Sequence, residues 1–113
     1  MISSGAASGP QIAVLAALSA STLLTFLGDS YTTMIGLQHG LTEGNPISRW
    51  LFKKIGQAGT YFAEAVALLF AIATISNYDL NAAYLFAGIV TAGEAVMVVR
   101  NYRLLKARKI SLK

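Results

Sequence analysis

Three stretches of this chain are so long and so poor in charge that only a few folds can hold them. No charged residue occurs from Met1 to Gly28, and the later stretches, about 57–77 and 82–102, carry one acid each, Glu64 and Glu94. A helix rises about 1.5 Å per residue and the hydrocarbon core of a bilayer is about 30 Å thick, so each stretch is long enough to cross as a helix. The first, read from 12 to 38, would be roughly 40 Å long and must tilt or protrude. A soluble fold is excluded by supply. With 12% charged and 55% hydrophobic residues in 113, the chain cannot clothe a water-facing surface, and it has room for one domain.

The connections differ from one another. Gly40–Asn45 is a turn, with Asn45 placed to cap a helix that begins at Pro46. Over 46–55, Ile47, Trp50, Leu51 and Ile55 share one side at helical spacing, and Arg49 and Lys53 lie opposite. This piece is too short to span, and Trp50, Arg49 and Lys53 are residue types that anchor at a headgroup layer. Tyr78–Asn81 is a tight connection, and a basic tail occupies 103–113. The sequence therefore predicts an all-α integral membrane three-helix bundle, with a short interfacial amphipathic helix between the first and second transmembrane helices. A cleaved signal peptide is the rival for the first stretch, but the basic leader such signals use is lacking.

All nine basic residues fall in two groups, Arg49, Lys53 and Lys54, and Arg100 to Lys113. Three crossings put both groups on one side, which the positive-inside rule makes cytoplasmic, leaving the amino terminus outside and the carboxyl terminus inside. Such clusters suit anionic lipid headgroups, and their placement at the ends of apolar segments gives no nucleic-acid face. Without cysteine, disulfides and thiolate metal sites are excluded.

Acids inside membrane helices are costly and call for a partner or a task. Asp29, Glu64 and Glu94 each lie roughly 10 to 14 Å from the cytoplasmic end of their own segment. Helical spacing puts Asp29 on a face with Thr22, Thr25, Thr32, Thr33 and Gly36, Glu64 with Gln57, Thr60 and Tyr61, and Glu94 with Thr91 and Asn101. These stripes avoid lipid by meeting, which predicts a polar pocket in the cytoplasmic half of the bundle. They could be structural only, with Asp29 bonded by Thr32 and Thr33, and Glu64 and Glu94 paired to Arg100, Lys53 or Lys54 or simply protonated by burial. They could also form an ion or proton cluster of Asp29, Glu64 and Glu94, whose oxygen ligands would suit a hard divalent cation. His39 reads as a solvated turn residue, and Glu43 as a partner of Arg49 or of the turn backbone. Small residues recur four apart at Ala13/Ala17, Ala16/Ala20, Ala63/Ala67/Ala71 and Ala83/Ala87, which permits close helix approach.

The pattern Asp29-x-x-Thr32-Thr33, then Leu37, Gly40, and Glu43-x-Asn45-Pro46 resembles that of a family of short prokaryotic membrane proteins whose domain has no assigned function. The resemblance runs from about Leu24 to the end of the second segment. It implies three or four helices in a prokaryotic inner membrane, singles out those six polar and proline positions, and brings no activity or cofactor.

No nucleophile–base set, phosphate loop or zinc motif is present in the sequence. The expectation is a non-enzymatic protein without cofactor, an accessory subunit or assembly factor packed against lipid and against other membrane subunits or itself. The alternative is a cation- or proton-binding transporter, channel or sensor.

Overall fold

The computed structural model describes residues 8–111 as three helices, α1 (Gly9–Gln38), α2 (Pro46–Tyr78) and α3 (Leu80–Ala107). Each is long and apolar enough to cross a membrane. Met1–Ala7, on which the outward placement of the amino terminus partly rests, and Leu112–Lys113 of the basic tail lie outside the described residues.

Local chemistry sets the helix ends. α1 begins at Gly9, three residues before the expected start, because Ser8 and Gln11 form a reciprocal cap. The Gln11 amide donates to Ser8 Oγ at 3.2 Å, and the Ser8 amide to Gln11 Oε1 at 2.8 Å. It ends where Gly40 takes a positive φ of 87° and Leu41 N bonds back to Gly36 O at 3.0 Å, a left-handed stop that glycine enters without strain. Asn45 caps α2 as the sequence indicates, accepting from the amides of Ile47 (2.9 Å) and Ser48 (3.4 Å), with Pro46 in the first turn. Asp79 alone joins α2 to α3 and caps the latter through the amides of Asn81 and Ala82. α3 continues through Arg103 to Ala107, so the start of the basic tail is helical, and Lys106 sits in the last turn, where a cation complements the helix dipole.

α1 and α3 run parallel and make the most extensive contact in the molecule. Hydrogen bonds mark the register. Tyr84 Oη donates to Gln11 O, Thr22 meets Thr91, Thr25 meets Glu94, and Asp29 meets Asn101, the positions advancing together along both helices. Contact positions recur at alternating spacings of three and four: Thr22, Thr25, Asp29, Thr32 and Gly36 face Ala87, Thr91, Glu94, Val98, Asn101 and Leu105. This is coiled-coil spacing with small and polar residues in place of leucines. Ala83 and Ala87 are wholly buried in this seam, whereas Ala13, Ala16, Ala17, Ala20, Ala63 and Ala67 are exposed. Of the small-residue pairs read from the sequence, this one forms the close contact.

α2 is bent double near its start. At Gly56 the backbone takes φ 79° and ψ 171°, a region essentially reserved for glycine. Ser48 and Glu64 would stand about 24 Å apart along a straight helix. Instead Ser48 Oγ donates to Glu64 Oε2 at 3.1 Å, and the Phe52 and Tyr61 rings meet edge to face at 5.7 Å. The arm 46–55 therefore lies back along the start of the arm 57–78. The short helix read from the sequence is thus continuous with α2 apart from this break.

Few apolar side chains are buried: Phe26, Ile35, Ile72, Ala83, Ala87 and Leu105. Outward-facing residues include Leu24, Phe62, Phe70, Leu85, Ile89 and Val96, an apolar exterior that water would penalise and lipid accepts.

Candidate functional site

The parallel α1–α3 pair and the folded start of α2 enclose a polar cavity of about 620 Å³ at the end of the bundle that carries the basic residues. From α1 come Asp29, Thr32 and Thr33, and from the following connection Glu43 and Asn45. α2 adds Ser48, Tyr61 and Glu64, and α3 adds Arg100 and Asn101. Five of the six singled-out positions thus border one space. Pro46 does not line it and serves in the first turn of α2, behind the Asn45 cap.

A second, more open cavity of about 360 Å³ is lined by Phe26, Asp29, Glu64, Ala67, Leu68 and Glu94. Phe26, Asp29 and Glu64 border both, so the cavities adjoin, and all three intramembrane acids reach the second. The polar pocket expected in one half of the bundle is present. Among the described residues, however, no three His, Asp or Glu side chains gather as a group that could hold a metal ion.

Each acid is held by neutral donors. Asn101 Nδ2 donates to Asp29 Oδ1 at 2.9 Å and reaches Thr32 Oγ1 (3.0 Å) and Thr33 Oγ1 (3.2 Å), and Thr33 itself lies 3.4 Å from Asp29 Oδ1. Thr25 Oγ1 donates to Glu94 Oε1 at 2.7 Å, and Ser48 to Glu64 Oε2. Of the structural alternative, the Thr33–Asp29 bond is present, whereas hydroxyls stand where Arg100, Lys53 or Lys54 were expected beside the glutamates. Among the described residues, one oxygen of each carboxylate accepts a hydrogen bond. Asp29 Oδ2, Glu64 Oε1 and Glu94 Oε2 receive no hydrogen bond from the described residues, although a carboxylate can accept at both oxygens. Tyr61 Oη is buried and has no partner among them either. Buried polar groups are nearly always satisfied, so the Tyr61 hydroxyl at the cavity wall is the exception among the described residues.

Other expected residues have quieter roles. Glu43 Oε1 accepts from the Asn45 amide at 2.9 Å, so it bonds the turn backbone. His39 is exposed at the end of α1, its Nδ1 2.9 Å from Ile35 O. Arg49, Trp50 and Lys53 are exposed, and Lys54 Nζ stands 5.9 Å from the Trp50 ring.

Ser48 was not legible as a site residue. It sits in what reads as an amphipathic surface piece, and only the reversal at Gly56 brings it to Glu64. Asn101 was legible as a face-mate of Glu94, yet its hydrogen bonds go to Asp29, Thr32 and Thr33 of α1.

Three membrane-capable helices around a polar cavity fit a small multi-pass membrane protein. The family model described as "Domain of unknown function (DUF5658)" matches residues 20–106, and the chain belongs to that family. No curated protein and no solved structure matches the chain.

Proposed function

We propose that this protein is a non-enzymatic membrane binding protein that holds a small positively charged group in the polar cavity, as part of a transporter, channel or sensor. The observation that carries the reading is that the carboxylates of Asp29 and Glu64, from two different helices, border one cavity together with Tyr61, whose hydroxyl is buried without a partner among the described residues. The basic end faces the cytoplasm in this reading. The arm 46–55 lies at the headgroup layer, with Trp50, Arg49 and Lys53 as its anchors.

An accessory-subunit role draws on a different observation. α2 touches α1 far less than α3 does, and it turns Phe62, Val66, Leu69 and Phe70 outward. Either lipid or a partner helix could cover that face, and co-purification from mild detergent separates the two.

The binding reading is tested by thermal unfolding of purified protein in detergent at constant ionic strength, with methylammonium, sodium or potassium added. A ligand at ten times its Kd stabilises by about 1.4 kcal/mol, which corresponds to roughly 5 °C in Tm for a chain of this size. Methylammonium or a monovalent ion should raise Tm of the parent and leave the Asp29→Asn/Glu64→Gln double variant unmoved. Equal shifts in both proteins, or none in either, would refute it.

A further inference from the structure

The cavity wall carries both signs of charge. Among the described residues, Asp29, Glu43 and Glu64 border it together with one basic residue, Arg100. Arg100 is exposed at the rim and in no ion pair with these acids, so a bare cation leaves it unanswered, whereas a bare anion faces three carboxylates. The volume also leaves room for more than an inorganic ion. About 620 Å³ lies within the roughly 300–1,000 Å³ typical of small-molecule sites and far exceeds the ~30 Å³ share of one water.

Resting on the binding role proposed above, we infer that the cavity takes a zwitterion, a primary ammonium linked through a few bonds to a carboxylate or phosphate. The ammonium has three N–H donors and no acceptor, which matches the open acceptors Asp29 Oδ2 and Glu64 Oε1. The anionic end goes to Arg100, whose planar fork suits a carboxylate or phosphate in two parallel hydrogen bonds. Tyr61 Oη both donates and accepts, so it can serve either end. Two sources supply this chemistry. One is the headgroup of an aminophospholipid, since the basic end of the bundle belongs at the interface. The other is a free amino-acid-like solute from the aqueous side.

The test titrates the full chain in detergent with methylammonium, glycine, O-phosphoethanolamine and inorganic phosphate, using the parent and the variants Arg100→Gln and Arg100→Lys. Native mass spectrometry from nanodiscs containing phosphatidylethanolamine and phosphatidylcholine in equal amounts provides the lipid arm. Glycine, O-phosphoethanolamine or retained phosphatidylethanolamine should be preferred over methylammonium, phosphate and phosphatidylcholine by roughly tenfold, the scale of one charge-assisted contact. Arg100→Gln should abolish that preference while methylammonium still binds, which shows that the fold is intact, and Arg100→Lys should restore part of it. Preference for the lipid assigns the headgroup, and preference for the free compounds assigns the solute. Methylammonium binding as tightly as the zwitterions, or a preference surviving Arg100→Gln, would overturn the inference and leave the cation-binding role standing. Failure of every probe to bind the parent would overturn both.

Discussion

The amide of Asn101 has two N–H donors, and three acceptors surround it, Asp29 Oδ1, Thr32 Oγ1 and Thr33 Oγ1, at 2.9 to 3.2 Å. It cannot serve all three fully, so the group acts as a shared clasp between α1 and α3 rather than as one fixed bond. Hydrogen bonds between membrane helices are individually modest, but removing this amide leaves Asp29 with only the long Thr33 contact. Asn101→Leu should therefore destabilise the bundle by about 1–2 kcal/mol in detergent unfolding. Tyr102→Leu, at an exposed neighbouring position, should change stability by less than about 0.5 kcal/mol. Indistinguishable unfolding of the two variants would remove Asn101 from the account. At this scale the sequence was informative about faces and silent about partners. Spacings of three and four place Thr22, Thr25, Asp29 and Thr32 on one stripe, but which residue meets Asp29 depends on the axial offset of α1 and α3, which periodicity does not encode.

Two features decide the helices as elements, the small-residue seam and the reversal at Gly56. In the seam, Ala87 is fully buried and lies against Thr22, whose Oγ1 comes within 3.3 Å of the Ala87 carbonyl. Ala87→Leu has no space to fill and should cost about 1–3 kcal/mol by overpacking, while Leu85→Ala on the outward face should be nearly neutral in Tm. At Gly56 the backbone sits where an L side chain is strained. Gly56→Ala should cost about 1–3 kcal/mol, although nothing crowds the added Cβ. It should also weaken the hold of Ser48 on Glu64, which a comparison with Ser48→Ala would show as non-additive losses in a double-mutant cycle. Additive losses would mean that the arm keeps its place without the glycine turn. The existence of the three helices and the Asn45 cap before Pro46 was legible, because charge-free length and capping residues are local signals. The reversal was not. Gly28, Gly36, Gly88 and Gly93 sit inside regular helix in the same chain, so glycine alone does not announce a break.

For the whole molecule, the decisive physical fact is that the basic residues, the cavity and the folded arm of α2 share one end. Charge asymmetry then predicts orientation. A single cysteine introduced as Asp79→Cys should react with an impermeant maleimide from outside intact cells, and Ser111→Cys only after the membrane is opened. The opposite pattern would invert the topology, and labelling of both from outside would break the three-span arrangement. The cavity was foreseen as a meeting of polar stripes. Its size and mixed charge were not, since they arise from the connection residues Glu43 and Asn45 and from Arg100, which in sequence belong to a turn and a basic cluster.

The claim on which the functional account depends is that this cavity is water-filled and open from the basic end, and the absence of native cysteine makes it directly measurable. Ser30→Cys lies in the cavity wall, and Val96→Cys lies on the outward face of α3. Both would be exposed to a cationic methanethiosulfonate reagent applied to the basic side of reconstituted vesicles. Because the reagent attacks only a hydrated thiolate, Ser30→Cys should react roughly tenfold or more faster than Val96→Cys and be protected by a bound ammonium compound. A Ser30→Cys protein that reacts no faster than Val96→Cys, or whose rate no ligand alters, would mean that the polar residues form a closed seam, and the binding function would be wrong.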